Sequence, residues 1–153
     1  MTAALSIKQR LFDHCETYIQ QKIMAAQNAI DAAQKAANEE TKSSVGDKYE
    51  TGRAMMQLEK EKHAAQLNEG LKLQKVLAQV TPQATPPTVG LGSLVITSQA
   101  NYYIAISAGK VTLEEQHYFT ISLASPIGQA LQHLKAGEQI VFRGQHITIK
   151  NTL

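Results

Sequence analysis

"SSVGDKYETG", residues 43–52, separates two long, polar, alanine-rich stretches. It holds one glycine, small residues, two carboxylates three positions apart and almost nothing apolar. Upstream of it, Phe12, Cys15, Ile19, Ile23, Ala26, Ile30, Ala33 and Ala37 recur at spacings of three and four, the period of one helix face. No proline or glycine intervenes before Gly46. This spacing predicts a helix over residues 5–44, roughly 60 Å long at ~1.5 Å per residue. Downstream, residues 47–80 carry a less regular stripe: Met55, Leu58, Ala65, Leu73, Val76 and Val80, with Leu67, Leu71 and Leu77 beside it. Gly70 lies inside this second helix at a cost of about 1 kcal/mol relative to alanine. Two such helices joined by a short turn make an antiparallel coiled-coil hairpin over residues 1–80 with its tip at 43–52. The large apolar residues Phe12, Tyr18, Ile19 and Ile23 fall near its base, opposite Leu71, Leu73 and Val76. Toward the bend, Ala26, Ala33 and Ala37 let the helix axes approach to ~8 Å. The expectation is a slender finger that reaches from a globular base.

The base is expected in the rest of the chain. Of 15 basic and 13 acidic residues, 11 and 10 lie in residues 1–80, leaving 4 and 3 for residues 81–153. Between the two halves, "TPQATPPTVG" (81–90) holds three of the four prolines. Proline stops a helix and biases its predecessor toward extended backbone, so residues 81–89 read as a linker. Beyond it, "SLVIT" (93–97), "NYYIAIS" (101–107), "HYFTISL" (117–123), "EQIVFR" (138–143) and "HITIK" (146–150) are rich in β-branched and aromatic residues. "RGQ" (143–145) supplies a turn for a hairpin between the last two. One short helix is expected in "SPIGQALQHL" (125–134): Ser125 suits the N-cap, Pro126 the first helical position, and Gly137 follows. The class is α+β, with a small, mostly antiparallel sheet over residues 90–153.

The net charge of +2 is mild and marks no polyanion-binding surface. The single cysteine cannot form an internal disulfide, which fits a reducing compartment. No leader-like apolar segment opens the chain, and no apolar run approaches the ~20 residues of a membrane helix. A soluble, cytoplasmic protein with no membrane partner is expected.

The acids at the bend have two readings, and they are compatible. Asp47 followed by Glu50 is a capping-box spacing, with carboxylates at the positive end of a helix dipole. Two carboxylates at i and i+3 also share a face and can hold a hard divalent cation of the Mg²⁺ type. Two acids are too few for a complete site, so that chemistry requires a partner to supply the other oxygen ligands.

Together the two halves resemble the Gre-type transcript-cleavage factors, a family of bacterial transcription elongation factors with an N-terminal coiled coil and an FKBP-like C-terminal domain. The C-terminal motif is the more specific: Ser125, Pro126, Ile127, Ala130 and Leu131 match the family's helix start, and Gly137, Glu138 and Ile140 its following strand. "GSLV" (92–95) looks like the family's opening strand, and Gly46, Asp47 and Glu50 stand where the family has its tip motif. The resemblance covers nearly the whole chain. It implies binding to bacterial RNA polymerase, with the C-terminal domain at the rim of the secondary channel and the coiled coil inserted through it. Asp47 and Glu50 would then help hold a catalytic Mg²⁺ shared with the polymerase, so that the nascent RNA 3′ end of a backtracked complex is hydrolysed by two-metal chemistry. Ser125, Pro126 and Ile127 would lie at the docking surface. The resemblance implies no intrinsic cofactor, no catalysis by the chain alone and a monomer when free. Thr51 departs from the family, where asparagine usually follows the second acid. Lys42, Lys48 and Arg53 surround the acids, either as RNA phosphate contacts or as solvated helix ends. Related folds also occur in channel-binding regulators that modulate polymerase without promoting cleavage, which stays open as the alternative.

The remaining residues read more plainly. Cys15 lies on the apolar stripe and suits a buried small hydrophobe better than a reactive thiol. The five histidines show no metal-ligand spacing. Met55 and Met56 suit hairpin packing or contact with an adaptable partner. The FKBP-like resemblance also raises prolyl isomerase activity, but fold does not carry function, and Tyr102, Tyr103, Tyr118 and Phe119 are needed for a core. A coiled-coil adaptor that dimerises through its stripe is the third class.

Overall fold

The computed structural model describes residues 3–43 and 47–153, with side chains described for residues 6–39 and 51–153. Helix α1 spans Ala3–Ser43 and α2 spans Asp47–Leu77. The strands are β1 (Leu94–Thr97), β2 (Asn101–Ala105), β3 (Gly109–Leu113), β4 (Gln116–Ser122), β5 (Gln139–Phe142) and β6 (Gln145–Thr152), with α3 (Pro126–Leu131) between β4 and β5. The class is α+β. The chain divides into two compact units: Ile19–Gln74 forms one, and the described residues up to Tyr18 join Lys75–Leu153 in the other. This division falls elsewhere than the break in composition, because both helices contribute residues to both units.

Within the helical unit, the α1 stripe follows its sequence period. Ile19 and Ala26 are buried, and Ile23, Ile30, Ala33 and Ala37 are half-buried. Gly70 of α2 meets Ile23, where a Cβ would lie 2.8 Å from Ile23 Cγ1. Further along, Lys60 Nζ donates to Gln34 Oε1 at 2.7 Å. Advancing residues of α1 thus meet receding residues of α2, so the helices run in opposite senses. The glycine that is unfavourable for an isolated helix is what permits this close approach. The α2 face departs from the one read off the sequence at Met55, Leu58 and Ala65 and follows it at Leu73 and Val76. Met55 and Leu58 are 63% and 66% exposed, and the covered positions are Gly52, Met56, Lys60, His63, Leu67, Gly70, Leu73, Val76 and Leu77.

In the other unit, the strands form one six-stranded sheet, ordered β3-β4-β2-β1-β6-β5. The sheet is mostly antiparallel, as expected, but mixed through one pairing: β2 and β4 pair in parallel, Asn101 opposite Tyr118 through Ala105 opposite Ser122, and the other pairings are antiparallel. The parallel pair arises from β3, which the sequence did not reveal. Residues 106–108 step past one strand position to β3, which turns back through Glu114 and Glu115 to lay β4 in the gap. That turn has two residues with positive φ, +51° and +67°. The β5–β6 turn at Arg143 and Gly144 has the same character, at +50° and +80°, and forms the hairpin expected at "RGQ".

Alternation along the strands creates two buried faces. One places Val95, Ile104 and Ile149 against Leu131 of α3 and Val89, with Ile127, Leu134 and Ile140 around them. The segment read as a linker therefore ends in this core through Val89. The other face carries Leu94, Tyr103, Tyr118 and Thr120. The start of α1 covers it: His14 Nε2 lies 3.0 Å from Ala108 O, Cys15 bonds to the backbone of Ile106, and Leu11 and Cys15 are fully buried. Thr120 supplies the polar closure, donating to Gly109 O at 2.8 Å and accepting from Ala108 N at 3.0 Å.

Candidate functional site

The two sets of site residues drawn from the sequence fall in different units. α2 opens on Asp47 itself, so Asp47 is the first helical residue and Glu50 lies one turn in, close behind the end of α1. The side chains of Asp47, Glu50, Lys42 and Lys48 lie outside the described residues, as does the expected Mg²⁺ pair with them. Backbone amides at a helix start are unpaired and positive, which suits carboxylates there whatever their further role. Arg53 and Thr51 are exposed in the next positions of α2, and Arg53 is engaged in an interaction. Among the described residues, no group of three or more His, Cys, Asp or Glu gathers as a metal site. No described helix is long and apolar enough to cross a membrane.

The second set lies at the start of α3. Ser125 is its N-cap, with φ −65° and ψ 155°; its Oγ accepts from Gly128 N at 3.1 Å and donates to Ser122 O at 2.6 Å. Pro126 occupies the first helical position, where its missing N–H costs nothing. Gly128 is fixed by space: a Cβ there would lie 2.3 Å from Ser122 O and 2.9 Å from Leu123 O. Ile127 packs against the core, so of the three residues expected at a docking surface only Pro126 is exposed. Ser125 and Ile127 hold the helix in position. Gly137, at φ +94°, donates its N–H to Ile149 O, and Glu138 Oε2 accepts from Lys135 N at 2.6 Å, which together close the turn into β5.

Sequence reasoning did not single out Lys8 or the unpartnered Tyr103 hydroxyl in the layer between α1 and the sheet. Lys8 is 2% exposed; its Nζ donates to Ala84 O at 2.6 Å, and burial lowers its pKa. Burial pushes the Cys15 thiol up to about 12, against a smaller opposing effect from its bond to the Ile106 backbone. The thiol is therefore protonated and inert, as the sequence reading had it. Burial also raises Tyr103, and Cys15 and Asp13 add to the shift. The Tyr103 hydroxyl is buried and finds no hydrogen-bond partner among the described residues. Lys8 was missed because it precedes the stripe that starts at Phe12, and a lysine one helical turn before Leu11 reads as solvated.

No known protein-family model matches the chain, and no curated protein matches it.

Proposed function

We propose that the chain is a bacterial RNA-polymerase-binding factor of the Gre type, which enters the secondary channel with an antiparallel coiled coil and promotes cleavage of backtracked RNA. The observation that carries this reading is the position of Asp47 and Glu50 in the first turn of α2, immediately after a 41-residue helix. The capped Ser125–Pro126 start of α3, followed by the Gly137–Glu138 turn, supports it from the other unit. In this reading the chain is not itself an enzyme. Asp47 and Glu50 would offer carboxylate oxygens to a Mg²⁺ held jointly with the polymerase, and the chemistry such an ion would supply is activation of a water for hydrolysis of the RNA phosphodiester. Lys42, Lys48 and Arg53 steady the RNA backbone, and Pro126 contributes to docking at the channel rim.

The test uses backtracked complexes made with polymerase from the same organism. Asp47→Asn and Glu50→Gln keep side-chain oxygens able to accept capping hydrogen bonds but remove the charge that holds a metal. Each is expected to cut cleavage by roughly 100-fold, in keeping with the several kcal/mol such an ion supplies, while binding and thermal midpoint stay near wild type. Cleavage that survives both substitutions would end the metal-holding role. Thr51, in place of the family's usual asparagine, favours a second reading, a channel-binding regulator that does not promote cleavage. Wild-type binding without cleavage would establish that alternative.

A further inference from the structure

The side of the sheet that packs on α3 is not covered along its whole length. At its open end lies a concavity of about 340 Å³ bordered by Gln99, Asn101, Lys110, Gln116, His117 and Phe119. Strand register builds it in two rows. Lys110 stands opposite Phe119, and Phe119 opposite Tyr102, so these three side chains share a face. The Tyr102 and Phe119 rings lie 6.1 Å apart at 37°, which braces Phe119, yet Phe119 remains 39% exposed. In the next row Thr112 stands opposite His117, and Thr112 Oγ1 lies 2.8 Å from His117 Nδ1, which fixes the imidazole. Asn101 Nδ2 donates to His117 O and Gln99 Nε2 to His146 O, so the amides at the rim are held by backbone. Lys110 makes no ion pair or hydrogen bond among the described residues, and no carboxylate is among those that line the concavity.

We infer that this concavity binds a nucleotide, with its base stacked on Phe119 and its phosphate at Lys110. An exposed, braced aromatic on a strand is a platform that any base can stack on, and a cation on the neighbouring strand takes the phosphate. The surrounding amides offer the donors and acceptors that a heterocycle edge requires. A proline-bearing peptide fits less well, because its ring calls for a closed apolar cup and this lining is mostly polar. The inference goes beyond the Gre-type reading and does not depend on Asp47 or Glu50.

The test titrates the isotope-labelled full chain with AMP and UMP, and separately with short single-stranded oligo(A) and oligo(U), following backbone amide shifts. Changes confined to β2, β3, β4 and the Gln99 turn are expected. Much tighter binding of the oligonucleotide would identify a nucleic-acid chain as the ligand, and equal binding a free nucleotide; both uphold the inference. Phe119→Ala is expected to weaken binding about 10-fold and Phe119→Tyr to restore it. Lys110→Gln, at an exposed position that leaves folding intact, is expected to weaken binding and flatten its salt dependence. The inference is overturned by the absence of shifts at millimolar ligand, by shifts located elsewhere, or by affinity unchanged in both Phe119→Ala and Lys110→Gln. It is equally overturned if a proline-containing peptide occupies the site and nucleotides do not displace it.

Discussion

Tyr103 brings a phenol into the layer between the start of α1 and the sheet, and its hydroxyl is left without a partner among the described residues. A buried unpaired hydroxyl costs about 1–3 kcal/mol, so Tyr103→Phe is expected to raise stability by about 1 kcal/mol in urea unfolding. Cys15, in the same layer, makes stability depend on pH. Its thiol ionises near 9.0 in an unfolded chain and near 12 in the fold. Between those values the unfolded state loses the proton and the folded state keeps it, so stability falls as pH rises through the window. Burial-raised Tyr102, Tyr103 and Tyr118 act in the same direction from about pH 10 upward. Lys8 acts in the opposite direction, since a lowered folded pKa means that stability rises with pH until the unfolded lysine also deprotonates near 10.5. Cys15→Ala should therefore flatten the alkaline fall, and Lys8→Met should steepen it, when unfolding midpoints below and within the window are compared. The burial of Cys15 was legible because it keeps the stripe's period. The orphan hydroxyl was not, because only tertiary packing decides whether a strand tyrosine meets water.

Helix α2 shows where hydropathy misleads. Its covered face includes Lys60, His63 and Gly70, while Met55 and Leu58 face solvent, so counting apolar side chains misplaced the first half of the stripe, although Leu73 and Val76 are covered as read. The signal that could have corrected it is Gly70 itself: a glycine in a long helix often marks close approach by a neighbour. Gly70→Ala gains helix propensity of about 1 kcal/mol but forces a Cβ against Ile23 Cγ1, which is not a free side-chain end. A net loss of about 1 kcal/mol is expected, relieved by a second change, Ile23→Ala, in a double-mutant cycle. The β3–β4 turn offers the opposite case. Glu114 and Glu115 both adopt positive φ, which suits Asn-Gly far better, and the exposed 3.4 Å Arg10–Glu114 pair contributes little. Replacing the pair, Glu114→Asn with Glu115→Gly, is expected to add roughly 1 kcal/mol in thermal or urea unfolding. Strand β3 itself escaped notice because "GKVTL" opens on glycine and lysine and mostly faces water, as an edge strand does.

At the scale of the molecule, class and the order of every element except β3 were readable because long periodic helices and clustered β-branched residues are strong local signals. The parallel β2–β4 pair and the makeup of the two units were not, since both depend on contacts between residues distant in sequence. That makeup has a measurable outcome. The sheet's second face is covered by α1, so a fragment of residues 81–153, cut where composition changes, leaves Leu94, Tyr103 and Tyr118 without cover. It is expected to lose cooperative unfolding and bind a hydrophobic dye. A chain that joins residues 1–18 to 75–153 through a short flexible link should retain a dispersed amide spectrum.

Strand β6 lies between β1 and β5 and is synthesised after both. On the ribosome, β1 and β5 therefore wait with unpaired edges until residues 145–152 clear the exit tunnel, and the opening turns of α1 wait longest for the surface they cover. The helical segment 19–74 has all of its own partners in hand much earlier. A chaperone that shields strand edges would accordingly engage the nascent chain late, on its β-rich part, after the helices have already met.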